Sequence, residues 1–140
     1  MIITLTKKQK AINSIHTFEK EYGSIERLRK AQEETGSMKM LVDLENWEYY
    51  LKNPEEEVFE SKSIVTNKIA LTDLKMEILD FIKKEKPKSI RELSRMIDKD
   101  VGIIHPKVKE LEQDGLIEFK TGVKNSKIPY LNYDEITIVI

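Results

Sequence analysis

From Thr72 onward the apolar residues recur at helical spacing, with a stop signal at each end. Leu74, Ile78, Leu79 and Ile82 lie on one face of a helix that Thr72 and Asp73 start and that KKEKP ends at Pro87. Ser89 and Glu92 stand at capping-box spacing and open a second helix, SIRELSRMI, whose buried positions are Ile90, Leu93 and Ile97. A four-residue turn, Asp98 to Val101, leads into a third helix that reaches Asp114. Ile104, Val108 and Leu111 form its inner stripe, and Gly115 is its left-handed stop. The segments LIEFKTG and KIPYLNY then flank a polar tip, VKNS, as the two strands of a hairpin would.

The first 71 residues are patterned less sharply. Thr6 followed by Gln9 fits another capping box, and Ile12, Ile15 and Phe18 (or Tyr22) recur at helical spacing as far as Gly23, so a helix is predicted there. Ser24 caps the next helix, which runs through Ile25, Leu28 and Ala31 and ends near Gly36. In MKMLVDLENWEYYLKNP two periods compete. Met38, Met40, Val42 and Leu44 alternate as in a strand, whereas Leu44, Trp47 and Leu51 share a helix face. The favoured reading is a short strand to Leu44 and then a short helix that stops before Pro54. Glu55 to Glu57 reads as an acidic surface turn, and Ser61 to Ile69 as extended, with Ile64, Val65 and Ile69 as apolar positions. The expected fold class is α+β, mainly α, with residues 1–60 a helical and extended N-terminal segment and residues 61–140 a second domain.

Composition removes several function classes. The chain has no cysteine, which excludes disulfides, thiolate metal sites and thiol nucleophiles. No apolar run approaches the roughly 20 residues that span a bilayer, and MIITLTKKQK has no signal-type apolar core, so a soluble, cytoplasmic protein is expected. The 24 basic and 25 acidic residues nearly cancel, and a split at Leu71 leaves 11 against 12 before it and 13 against 13 after it. Any binding to nucleic acid must therefore come from local patches. Glycines are scattered singly, no nucleophile and base stand at useful spacing, and His16 and His105 lie in separate segments. Neither an enzyme nor a metal or other cofactor is expected. Trp47 extends the stripe of Leu44 and Leu51 and reads as core or interface packing, while Glu55, Glu56 and Glu57 read as solvated.

Helix, short helix, turn, helix and hairpin is the order of a winged helix-turn-helix, with the N-terminal helical segment as an extension. In that arrangement the third helix, about 101–114, enters the major groove of double-stranded DNA by its N-terminal turns. The residues opposite its inner stripe are Gly102, Ile103, His105, Pro106, Lys107 and Lys109. Gly102 allows close backbone approach, His105 can hydrogen-bond a base or phosphate, and Lys107 and Lys109 suit phosphates. The wing, about 116–133, carries Lys124, Asn125, Ser126 and Lys127 to the backbone or minor groove. Ser89, Arg91 and Arg95 on the second helix fall near flanking phosphates. Pro106 leaves two alternatives for the third helix: His105 is the cap with Pro106 in the first turn, or the helix is kinked.

Residues 72–140 resemble a family of archaeal and bacterial predicted transcriptional regulators in the MarR-like winged-helix group. LTDLKMEIL, PKSIRELSRMIDKDV, VKELEQDGLIEF and KNSKIPYLNYDEITIVI carry the resemblance. It implies that Lys107 lies on the DNA face and that Ile136, Ile138 and Ile140 form a terminal strand. Pro106 departs from the polar or basic residue usual there. The function expected is a sequence-specific, homodimeric DNA-binding regulator. The alternative is an antitoxin-like or adaptor protein that grips a protein partner through residues 1–60.

Overall fold

A computed structural model describes residues 1–65 and 68–140. The elements in order are β1 (Ile2–Lys10), α1 (Ala11–Tyr22), α2 (Ile25–Thr35), α3 (Met38–Lys52), β2 (Glu57–Val65), α4 (Asp73–Glu85), α5 (Ile90–Ile97), α6 (Val101–Gln113), β3 (Glu118–Thr121), β4 (Lys127–Tyr130) and β5 (Glu135–Val139). The fold is α+β and mainly helical, as the patterning predicts. The chain divides into two compact units, Met1–Leu5 with Ser63–Ile140 and Thr6–Lys62, so the breaks fall inside β1 and β2. The first five residues thus group with the C-terminal unit and not with the segment 1–60. Among the described residues no helix is long and apolar enough to cross a membrane.

Residues 6–62 pack α1, α2 and α3 around Ile15, Leu28, Leu44 and Trp47. Phe18 stacks on Trp47 at 5.5 Å between ring centroids, within the range where aromatic pairs attract. Ser24 caps α2 as expected, its side chain accepting the Arg27 N–H at 3.2 Å, and Gly36 ends that helix in the left-handed conformation at φ 64°. Lys39 donates to Glu21, to Asp43 and to the Tyr22 hydroxyl, which itself donates to Asp43. These partners, Tyr22 first, hold the Lys39 ammonium well above its ordinary pKa.

Three expectations change in this part of the chain. The helix predicted from the Thr6 and Gln9 capping box is instead β1 up to Lys10, and α1 starts at Ala11 without a side-chain cap. In β1 Ile3 and Leu5 are buried, while the Thr4 and Thr6 hydroxyls lie 3.3 Å from those of Ser63 and Ser61. The partner index falls as the β1 index rises, so β1 and β2 run antiparallel. Gln9 donates to Ser14 and Glu60 instead of closing a box. The strand expected over residues 38–44 is also absent, because α3 is one helix from Met38. Ser37 caps it, accepting the Met40 N–H at 3.3 Å, and Met, Lys, Leu and Glu are good helix formers. Met38 and Val42 are left exposed. Glu57 is the first residue of β2, so the acidic turn is shorter than expected. The extended reading of 61–69 holds through β2, and Thr66 and Asn67 lie outside the described residues.

In the other unit the expected elements are present. Thr72, Ser89 and Asp100 cap α4, α5 and α6, each side chain accepting an N–H of the first turn. Ile78, Leu79, Ile82, Leu93, Ile97, Ile104, Val108 and Leu111 share one core with Ile3, Leu5, Leu116, Ile117 and Tyr133. β3 and β4 pair antiparallel, with Glu118 opposite Tyr130 and Thr121 opposite Lys127. The other sheet has the order β2-β1-β5, and β5 contains Ile136 and Ile138 but ends one residue before Ile140.

Candidate nucleic-acid interface

The segment from α5 to the β3–β4 hairpin holds every candidate residue. α5 stops at Asp98, left-handed at φ 59°, and Asp100 accepts the Gly102 N–H at 2.9 Å to begin α6. The link is therefore Asp98–Asp100, one residue shorter than expected. Asp100 also settles the start of α6: His105 is not the cap, and Pro106 lies inside the helix. Proline has no N–H, so the Gly102 carbonyl four residues earlier loses its helical donor. Gly102 is exposed, which leaves that carbonyl open to water or to a ligand donor.

Burial of Ile104, Val108 and Leu111 sets the outward face of α6. At 3.6 residues per turn Gly102, Pro106 and Gln113 lie opposite the stripe. Ile103 and Lys107 share one flank, His105 and Lys109 the other. Lys107 and Lys109 thus do not form one patch. Each is half-buried and faces a carboxylate one turn on, Lys107 to Glu110 at 3.8 Å and Lys109 to Glu112 at 3.7 Å.

Glu110 has a closer partner, the Lys75 ammonium at 2.9 Å. Lys75 on α4 is only 4% exposed, and its salt bridge holds the Glu110 carboxyl below the usual carboxylate range. Sequence reasoning missed this pair although a signal existed. Lys75, Ile78, Leu79 and Ile82 are spaced i, i+3, i+4 and i+7, so a lysine stands in the buried stripe.

On α5 the Ser89 hydroxyl accepts the Glu92 N–H at 3.0 Å, which commits its acceptor to the cap. Arg91 and Arg95, one turn apart, are both exposed. At the hairpin tip Lys124 and Asn125 have φ of 55° and 60°, and the Gly122 N–H donates to the Ser126 carbonyl at 2.7 Å. Lys124, Asn125 and Lys127 are exposed. Among the described residues Arg91, Arg95, Lys124 and Lys127 have no ion-pair partner, in contrast to the α6 lysines.

The hairpin is anchored from below by a side chain the patterning did not single out. The Tyr133 hydroxyl donates to the Leu116 carbonyl at 2.8 Å, and burial pushes its phenol far above the ordinary pKa, so it stays a donor. Lys83 on α4 donates to the Tyr133 carbonyl and to Asp134, both at 2.7 Å. β4 in turn packs on α4 and α5. Among the described residues no group of three or more His, Asp or Glu could hold a metal ion.

Residues 70–138 match the family model HVO_A0114. The HVO_A0114 match begins two residues before the Thr72 cap and ends in β5, so it takes in α4, α5, α6 and the hairpin and leaves out residues 6–62. No curated protein and no solved structure matches the chain.

Proposed function

We propose that residues 63–140 form a winged helix-turn-helix of MarR-like type that binds double-stranded DNA, and that the protein is a homodimeric, cytoplasmic regulator of transcription and not an enzyme. The observation that carries the reading is α6. It is capped three residues after α5, buries one stripe, leaves Gly102, Ile103, His105 and Pro106 exposed, and leads into a hairpin with a basic tip. A helix so presented offers backbone and side-chain donors and acceptors to base edges in a major groove, while the tip lysines meet phosphates.

The ion pairs refine which cations do this. Lys107 and Lys109 are partly neutralised by Glu110 and Glu112, so phosphate attraction rests more on Arg91, Arg95, Lys124 and Lys127. Selection of duplexes from a random pool, followed by affinity measurements over a range of salt, tests the reading. Lys124→Ala with Lys127→Ala should lower the salt slope by about 2, one for each lost phosphate contact. Lys107→Ala with Lys109→Ala should change it less. Failure to enrich any duplex would sink the proposal, and sedimentation showing one chain per complex would remove the homodimer.

A second reading, an antitoxin-like or adaptor protein that binds a protein partner through its N-terminal segment, is favoured by one feature. Met38, Val42 and Tyr49 form an exposed stripe on α3, at 70%, 49% and 49% exposure. A stoichiometric protein partner recovered without DNA would support it.

A further inference from the structure

A cleft of about 610 Å³ opens between the end of α4, the link to α5 and one face of the β3–β4 hairpin. That volume lies within the range of small-molecule sites, roughly 300–1,000 Å³. Its apolar lining is Ile82, Pro87, Ile128, Pro129 and Leu131, with the Tyr130 ring among them. The remaining four lining residues are Lys83, Lys86, Lys88 and Lys120, with no carboxylate among the ten. Asp134 is bonded to Lys83 and Glu118 lies against Tyr130, and even so the cleft keeps an excess of positive charge in a chain of net charge −1.

The four lysines are not equivalent. Lys83 is committed to Asp134 and the Tyr133 carbonyl. Lys86 and Lys88 have no ion-pair partner among the described residues, and Lys120 lies 5.4 Å from the Tyr130 ring centroid without a carboxylate. Like charges around one concavity repel until an anion enters, and a monoanion would leave most of the charge unmatched. All the cations are lysines. An ammonium acts as a point charge with rotatable donors, suited to the three oxygens of a phosphate, whereas flat bidentate pairing with a carboxylate favours arginine. The half-buried Tyr130 ring, with Ile128 and Leu131 beside it, offers flat apolar surface for the rest of the ligand.

The geometry points to a binding site for a small phosphate monoester with a flat, aromatic body, its phosphate held by Lys86, Lys88 and Lys120. This site is separate from the outward face of α6 and does not depend on DNA binding.

Calorimetric titration of the full chain with adenosine 5′-monophosphate, adenosine and inorganic phosphate tests it. The monophosphate should bind saturably, at least about tenfold more tightly than either fragment, and Lys86→Ala with Lys88→Ala should weaken it roughly tenfold or more, as loss of charge-assisted hydrogen bonds does. Lys120→Ala, read with an unchanged circular dichroism spectrum, gives an independent variant. Absence of saturable binding, equal binding of adenosine, equal binding of inorganic phosphate, or indifference to both variants would each overturn the proposal. So would lysine variants that keep monophosphate affinity and lose only affinity for duplex DNA, since the cations would then serve the DNA backbone.

Discussion

The two units solve the same packing problem with different means. Among the described residues, the core of the unit containing α4, α5 and α6 has thirteen buried side chains, nearly all aliphatic. The core of residues 6–62 has four, Trp47 among them, extended by the rings of Phe18 and Tyr50 and bordered by the Lys39 network. Aliphatic burial is non-directional and grows with area, so the first unit distributes its stability over many contacts. With four side chains in the cluster, each carries a larger share.

Truncation of one core leucine in each unit puts that difference under the largest strain. Leu28→Ala and Leu111→Ala each remove a fully buried side chain, at about 2–5 kcal/mol. Hydrogen exchange should rise throughout α1–α3 for the first and stay confined near α6 for the second. Trp47, the single tryptophan, gives residues 6–62 their own fluorescence signal. Equal, local responses in both units would erase the distinction.

Tyr133→Phe comes next. It leaves the Leu116 carbonyl without its buried donor, at about 1–3 kcal/mol, and a thermal melt should show the loss. The serine caps follow. Ser37→Ala and Ser89→Ala should each cost about 1 kcal/mol, and denaturant midpoints should place the two within experimental error. A far larger effect of Ser37→Ala would mean that the four-residue core depends on its helix ends.

The smallest effect is that of Lys75→Met, at the Lys75–Glu110 pair. Lys75→Met removes the buried charge at similar volume and should be neutral within about 1 kcal/mol. Glu110→Ala strands a buried ammonium and should lower the melting temperature more than Lys75→Met does. Because the folded Glu110 carboxyl titrates below its unfolded value, its contribution is present above about pH 4.3 and is lost as pH falls through the depressed value. Melts from pH 6 to pH 3 should show wild type losing this contribution and Lys75→Met losing less. Identical acid profiles would show that the pair contributes nothing to pH dependence.

Legibility differed between the units for a physical reason. In α4, α5 and α6 cap, stripe and stop are all local, so Thr72, Ser89 and Gly115 marked them in the sequence, and of the caps only Asp100 was not marked, because Pro106 imitates a later helix start. In residues 1–60 the deciding contacts are distant. The β1 strand exists because Thr4 and Thr6 find Ser63 and Ser61 more than fifty positions away, while Thr6 and Gln9 imitate a local cap. The α3 stretch has two apolar periods, and packing against Leu28 and Phe18 selects the helical one. Among the candidate interface residues, position on α6 or the tip was readable from spacing, as were the i,i+3 pairs of Lys107 with Glu110 and Lys109 with Glu112, whereas the bridge from Lys75 on α4 to Glu110 was not.

By itself the sequence determined the caps and stops of α4 and α5, the aliphatic stripes of α4, α5 and α6 and the β3–β4 hairpin, because each depends on residues close by in the chain, and composition alone set the near balance of charge. Only tertiary structure decided that Lys75 is buried against Glu110. The same is true of the four lysines gathered around one cleft. Those outcomes depend on which side chains meet across elements, and one-dimensional spacing does not encode that.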